Sequence, residues 1–345
     1  MHKHILVINE FFHPDICASA AVLSDRLPRI ARLRPDYKIT VITGNRAWDN
    51  PAITHLETED YQGVRIVRVN RPVVDRGNLL RRGVGFALFE RAAVRAARRL
   101  DTIDLVIGTT APPQGVRIAR RIARRRGCPY IDCVFDLYPD LAATLGKISD
   151  RSFLFKRWLA KDTRLMREAA CVVSIGQGIT DRIARTRKVE SQRLRTIHDG
   201  FDAARLGSTE ENRFRRKYNP DGKFVVQYAG NMGLSHPFGS ILTACQALGS
   251  EPDLLFQFIG DGPQRAAIRD RLPPNGQLID YQPAERLGEV LDAADLCLIS
   301  QHEAMYDQAL PYKIYAILAA GRPSIFVGSE KSEIAEWLRG HRAGV

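Results

Sequence analysis

Short apolar runs alternate with longer stretches of mixed polarity along the whole chain. In the first part the runs are residues 4–9 (HILVIN), 38–43 (KITVIT), 64–69, 104–108 (DLVIG), 129–134, 171–174 (CVVS) and 195–198 (RTIH). Continuous hydrophobicity over a few residues is the pattern of a strand buried on both faces. Helix-type stretches lie between them: one follows the loop 10–19 and ends near Leu33, and a long one rich in arginine and alanine covers 79–100. The segment 212–222 (NRFRRKYNPDG) is polar and ends in a turn signal, which places a linker over 205–222. Beyond it the pattern restarts, with runs at 223–229 (KFVVQYA), 254–259 (LLFQFI), 277–281, 296–300 and 324–327. Strands alternating with helices imply parallel, doubly wound sheets. The expected fold class is α/β, with two tandem Rossmann-like domains over 1–204 and 223–345. Ligands of such sheets sit beyond the carboxyl ends of the strands, so the loops after the strands are the places to search.

Three of those loops carry the right residues for an anion. After the run ending at Ala229 comes GNMGLSHP (230–237), where Gly230 and Gly233 let the backbone approach a ligand. After Ile259 comes GDGP (260–263), again opening a helix-type stretch. The third is 310–326 (LPYKIYAILAAGRPSIF): Pro311 starts a helix, Gly321 stops it, and Lys313 stands in its first turn. Unpaired N–H groups at such a start, with a lysine beside them, suit a diphosphate. Each loop alone also reads as an ordinary βα turn. Three at one edge of one small domain read as a cleft for a phosphate and a nucleoside. The G-x-G-x-x-G pattern of a nicotinamide dehydrogenase is absent after the first strand.

Charge separates the two halves. Residues 1–204 hold 36 Lys+Arg against 22 Asp+Glu, while 205–345 hold 15 against 17. A field that lopsided points to an anionic surface met by the first domain, either nucleic acid or an acidic membrane leaflet. Zinc spacing, an RNP-like motif and basic loops interleaved with aromatics are all missing, which argues against nucleic acid. Residues 79–100 mix Leu79, Leu80, Val84, Phe86, Leu88 and Phe89 with Arg81, Arg82, Arg91, Arg95, Arg98 and Arg99, and 117–126 reads RIARRIARRR. Basic amphipathic helices of this kind lie at membrane interfaces, or they are the solvated faces of packed helices. No run of eighteen apolar residues spans a bilayer, and the first residues pass straight into a strand without a leader pattern. Six scattered cysteines without a C-x-x-C pair read as reduced thiols. The expectation is a cytoplasmic protein attached peripherally to the inner face of the membrane.

The motifs also carry a resemblance. YAGNMG (228–233), FIGDGPQR (258–265), AADLCLIS (293–300) and PYKIYAILAAGRPSIF (311–326), in that order, resemble the donor-binding half of the family 4 glycosyltransferases, retaining enzymes of GT-B architecture. NEFFHPD (9–15) and VFDLYPD (134–140) fill the places of the family's acceptor-side loops, and HDGFD (198–202) that of the N-G-x-D ending its first domain. The look is nearest to the bacterial amino-sugar transferases of O-antigen and capsule assembly. The resemblance implies two Rossmann-like domains with a cleft between them and a nucleotide-sugar, most often a UDP-sugar, held by the second. Gly230, Asn231 and Gly233, with His236 and the Gly260–Asp261 loop, would face the diphosphate, Lys313 would neutralise it, and Gln282 and Pro283 would hold the base. Asp136 and His13 are the acceptor-side residues it suggests, Asp136 to position or deprotonate the acceptor hydroxyl. The residues themselves also read as a helix-capping aspartate and a loop histidine beside Pro14. No metal and no cofactor beyond the nucleotide-sugar is implied, and the acceptor would be a lipid-linked saccharide. Four departures stand out. Gln308 and Ala316 occupy the places of a glutamate pair, with the ribose carboxylate missing at Ala316. His236 replaces a basic residue, Asp199 replaces an asparagine, and the chain stops at Val345 before the family's closing segment. A nucleotide-sugar epimerase on the same architecture and a non-catalytic nucleotide-sugar-binding homologue are the competing readings.

Overall fold

The computed structural model describes residues 3–15, 17–48, 50–71, 79–207 and 211–345, with backbone alone for 79–82. The chain divides into two compact units, residues 1–143 with 148–197, and residues 144–147 with 198–345. The side chains of Leu79, Leu80, Arg81 and Arg82, and residues 208–210 of the expected linker, lie outside the described residues.

The first unit runs β1 (Lys3–Ile8), α1 (Ala18–Leu33), β2 (Tyr37–Gly44), β3 (Thr58–Tyr61), β4 (Val64–Val69), α2 (Leu79–Ala97), β5 (Leu105–Thr109), α3 (Gly115–Arg126), β6 (Tyr130–Val134), α4 (Asp140–Thr144), α5 (Phe153–Glu168), β7 (Cys171–Ser174), α6 (Gln177–Arg187) and β8 (Leu194–Thr196). The strands form one sheet in the order β3-β4-β2-β1-β5-β6-β7-β8, parallel except that β3 runs antiparallel to β4. Leu6, Ile8, Ile39, Val41, Ile42 and Val106 are almost entirely removed from water, as continuous apolar strands covered on both faces require. The sequence pattern finds every strand but β3, whose residues TEDY are polar because it is a half-exposed edge. The winding reverses between β1 and β5. There the Thr109 hydroxyl donates to the Asn9 side chain at 2.5 Å, tying the ends of the two strands.

A buried charge network fixes the loop after β6. Arg187, fully buried at the end of α6, reaches both carboxylate oxygens of Asp140 and donates to the Tyr138 carbonyl at 3.2 Å and to Asp162 at 3.3 Å. Arg182 adds a second cation on Asp140 at 2.8 Å. Their hydrogen bonds hold the Asp140 carboxyl below the usual range even though burial opposes this. Asp132, on β6, is buried without a hydrogen bond. Burial and the nearby Asp162 raise its pKa well above the usual carboxylate range.

The second unit runs α7 (Arg213–Tyr218), β9 (Phe224–Ala229), α8 (Gly239–Ala247), β10 (Leu254–Ile259), α9 (Arg265–Arg269), β11 (Gly276–Ile279), α10 (Leu287–Asp292), β12 (Leu296–Ser300), α11 (Lys313–Ala319), β13 (Ser324–Val327) and α12 (Glu333–Gly340). Its five parallel strands are ordered β11-β10-β9-β12-β13. The segment expected as linker contains α7. Asn212 caps it by accepting from the Arg215 N–H, and Phe214 is fully buried against Ile259, Ile279 and Val290. One buried phenylalanine in a charged stretch is enough to pull it into the core. Polar side chains cross the sheet at one level: Gln227 of β9, Gln257 of β10 and Gln277 of β11 lie side by side, bonded amide to amide at 3.4 and 3.2 Å. Residues 343–345 run beside β13, with Phe326 N–H donating to the Val345 carbonyl at 2.7 Å.

Candidate functional site

In the second unit the winding reverses between β9 and β12, the position where sheets of this kind open a crevice. The loops leaving those strands are joined there. His236 Nδ1 meets the Ser300 carbonyl at 2.6 Å, and the His302 N–H donates to the Ser235 carbonyl at 2.9 Å. The loop after β10 packs on the other side. Gly230 donates its N–H to the Ile259 carbonyl at 2.9 Å, and Met232 to the Asp261 carbonyl at 2.8 Å. Gly230 and Gly260 both have φ of +129°, and a Cβ on Gly260 would lie 2.2 Å from the Gly230 oxygen. Only glycine permits that approach. Gln264 closes the set, donating to the carbonyls of Gly233 and His236 at 2.5 and 2.8 Å. The three loops singled out in the sequence therefore form one surface.

Lys313 lies at its centre. The helix expected to start at Pro311 begins only at Lys313 and is seven residues long, so the lysine, more than the helix end, is the group that can answer an anion here. Its Nζ stands 3.5 Å from the centre of the Tyr228 ring, in cation–π position. A Cβ on Gly230 would come within 3.2 Å of it. The Nζ is enclosed and has no hydrogen-bond partner. Burial lowers its pKa to about 7. Tyr228, given no role of its own in the sequence, is thus the floor of the site, and its hydroxyl donates to the Asn231 carbonyl at 2.8 Å.

The other donor-side residues divide. His236 is half-buried beside Tyr228, and loss of water around the ring, then Lys313, hold it down at about 4, so the ring is neutral and fixes the loop. Asn231 is exposed, and Gly233 follows it closely enough that a Cβ would meet the Asn231 amide at 2.9 Å. Asp261 is exposed and turns back to accept the Gly262 N–H at 2.8 Å. Gln282 is half-buried after β11, donating to the Asp280 carbonyl at 2.9 Å. Gln308 is different: it is buried, with its amide donating to the Ala304 carbonyl at 2.6 Å and accepting from Thr144 at 3.0 Å. Its side chain supports the 301–313 loop from within. Ala316 is buried on α11.

A consequence of the His236 environment is testable by acid. A base whose folded pKa lies below its unfolded 6.5 contributes stability that is present above pH 6.5 and is lost as pH falls towards about 4. The thermal midpoint of the wild type is expected to drop over that window, and His236→Gln to drop less. Identical pH profiles would show that the ring is not held neutral.

In the first unit the loops after β1, β5 and β6 come together. The backbone N–H groups of Phe135 and Asp136 both donate to the Thr110 hydroxyl at 3.1 Å, while the Ala111 carbonyl accepts from Glu10. Burial alone raises the Asp136 carboxyl to about 6, close to the range of a working base. His13 lies on the far side, over the edge of the sheet. Its ring stacks on Tyr61 at 3.9 Å, its carbonyl accepts from Arg68 at 2.7 Å, and burial lowers its pKa. No hydrogen bond joins His13 to Asp136. Thr110 is a positioning group that no motif marks. Among the described residues, no three His, Cys, Asp or Glu side chains converge as a metal site would need.

Two α/β units with parallel sheets and loop sites at the carboxyl edges define a GT-B chain, and solved structures agree. The match to Anabaena HepE in complex with UDP-glucose has a TM-score of 0.68 at 14% identity and covers 98% of this chain and 83% of that one. The match to sucrose-phosphate synthase from Thermosynechococcus elongatus has a TM-score of 0.72 at 13% identity, covering 96% and 83%. The family described as glycosyl transferase 4-like domain matches residues 30–200. A putative colanic acid biosynthesis glycosyl transferase of Escherichia coli K12, WcaI, is 27% identical over 121 residues, 34% of this chain and 30% of that protein. A probable glycosyltransferase of Pseudomonas aeruginosa, WbjE, is 33% identical over 122 residues, 33% of this chain and 29% of that protein. The matched stretch thus spans less than a third of either curated relative. Residues 30–200 thus carry a glycosyl transferase 4-like domain, and the chain is similar to glycosyltransferases that share it.

Proposed function

We propose that the protein is a retaining, metal-independent glycosyltransferase. It would move a hexosyl or N-acetylhexosaminyl group from a nucleotide diphosphate, UDP foremost, to a lipid-linked saccharide in the assembly of a cell-surface polysaccharide. The observation that carries this reading is Lys313: an enclosed amine without a partner, at the point where the second sheet reverses, beneath two glycine loops that admit a ligand to the backbone. A diphosphate supplies the missing acceptors, and the lysine would stabilise it as the glycosidic bond breaks. The UDP-glucose named in the HepE structure and the colanic acid named for the Escherichia coli relative fit the donor and the product class. A thermal-shift panel of nucleoside diphosphates and sugar nucleotides tests the donor, with UDP compounds expected to stabilise most. Incubation with UDP-GlcNAc and a lipid-linked acceptor extract tests the transfer. Formation of an epimer with no acceptor present would overturn it.

The acceptor points to a membrane, and one face of the first unit suits that surface. α2 packs on α3 and α3 on α5. Outward from this layer stand Val84 and Leu88 beside Arg91 and Arg95, and, at the head of α5, Phe153 (78% exposed) and Leu154 (62%) beside Arg151 and Lys156. Among the described residues no helix is long and apolar enough to cross a membrane. Each basic residue near an anionic leaflet adds about 1 kcal/mol, so this face would hold the protein reversibly at the surface. Sedimentation with phosphatidylglycerol vesicles should fall several-fold for the double variant Phe153→Ser, Leu154→Ser, and further when Arg91 and Arg95 become glutamine. UDP binding should not change. Vesicle binding equal to wild type would remove this face from the proposal.

A further inference from the structure

The setting of Lys313 permits a deeper statement about the same site, one that rests on the nucleotide-sugar reading above. Among the described residues, three neutral groups stand around its Nζ. From β9 comes the Tyr228 ring at 3.5 Å, whose hydroxyl is engaged with the Asn231 carbonyl. From the loop beyond comes His236, neutral and bonded to the Ser300 carbonyl. From β12 comes the Cys297 thiol, which burial pushes up to about 12. The arginine that also acts on that thiol, Arg322, is paired with Asp292. No carboxylate is among the groups that set the charge of Lys313. Its enclosed nitrogen finds no acceptor, so an ammonium there would be without any hydrogen bond. The Tyr228 face alone does not repay the loss of three water contacts. The pocket disfavours the ammonium, and burial lowers the lysine to about 7 accordingly.

A diphosphate inverts the balance, because it brings negative charge and acceptor oxygens to the one nitrogen that lacks both. We propose that the nucleotide site takes up its diphosphate together with a proton: above neutral pH Lys313 is mostly an amine while the site is empty and becomes an ammonium, with the proton drawn from solvent, when the phosphate oxygens arrive. The site then discriminates by charge twice. An uncharged sugar or nucleoside leaves the amine as it was, and a diphosphate creates its own counter-ion. Binding should weaken as pH rises, since the proton must be bought from a more dilute supply.

The test is titration calorimetry of the full chain with UDP-glucose, whose diphosphate carries no proton to lose between pH 6 and 9. GDP-mannose is the second probe should UDP-glucose not bind. Heats are compared in buffers of different ionisation enthalpy, so that proton uptake is counted directly. With a free-site pKa of about 7, uptake should be roughly 0.9 proton per ligand at pH 8 and roughly 0.1 at pH 6, and affinity should fall by about 50-fold from pH 7 to pH 9. Lys313→Met should bind more weakly and take up no proton at either pH. Tight binding by the wild type without uptake at pH 8, or uptake that persists in Lys313→Met, overturns the inference and leaves the nucleotide-sugar reading standing. Failure of both probes to bind overturns the nucleotide-sugar reading itself, and the inference with it.

Discussion

Asp136→Asn is expected to lower glycosyl transfer by about two to four orders of magnitude, the range for loss of a positioned general base, while UDP affinity stays within about twofold. The carboxylate lies just past β6, with its backbone N–H pinned to the Thr110 hydroxyl and the loop beyond it clamped by Arg187 through Tyr138 and Asp140. Such a loop holds its carboxyl in one place, as proton transfer to a saccharide hydroxyl requires. The pH dependence gives the sign. Burial raises the carboxyl to about 6, and only the ionised form accepts a proton. The rate of the wild type should therefore fall as pH drops below about 6, and the residual rate of Asp136→Asn should not show that limb. Release of UDP from a UDP-sugar in the presence of acceptor, followed from pH 5 to 8, measures both. A variant with wild-type turnover would leave Asp136 as the residue that shapes the turn and nothing more.

Lys313→Ala is expected to weaken UDP binding by about 1.5–3 kcal/mol, or some ten- to 150-fold, the worth of a hydrogen bond between a charged group and its partner. The stability of the empty protein distinguishes this from a general loosening. Removing a buried amine that has no partner removes a desolvated donor, so the thermal midpoint without ligand should hold steady or rise. The stabilisation conferred by UDP should shrink. Equal affinity for UDP in the two proteins would exclude Lys313 from the site.

The strands were legible because parallel sheets covered on both faces write themselves as unbroken apolar runs, and 296–300 or 171–174 cannot be read otherwise. The three glycine-bearing loops were legible as well, since Gly230 and Gly260 are required where two backbones nearly touch. What stayed hidden depends on distances between residues far apart in sequence. The edge strand β3 has no apolar face to announce it. Phe214 turned a charged stretch into a core helix through contacts with Ile259 and Val290. Lys313 was marked in the sequence as a diphosphate partner, but its enclosure against the Tyr228 ring, 85 residues earlier in the chain, was not. Gln308 stands where the resemblance implied a carboxylate, and only its bonds to Ala304 and Thr144 show that it faces inward.

The row of glutamines across β9, β10 and β11 acts as a gauge for the site above it. Gln227 and Gln257 sit at the same level, and Gly230 and Gly260 each follow three residues later. If β10 slid by two residues, Gln227 would stand beside Leu255 or Ile259, and buried amides would lose their partners at about 1–3 kcal/mol each. The same slip would carry Gly260 some 7 Å away from Gly230. Correct pairing of two interior amides therefore sets the height of both glycine loops. The ladder lies beneath the surface that a nucleotide would touch, and it decides whether that surface exists at all.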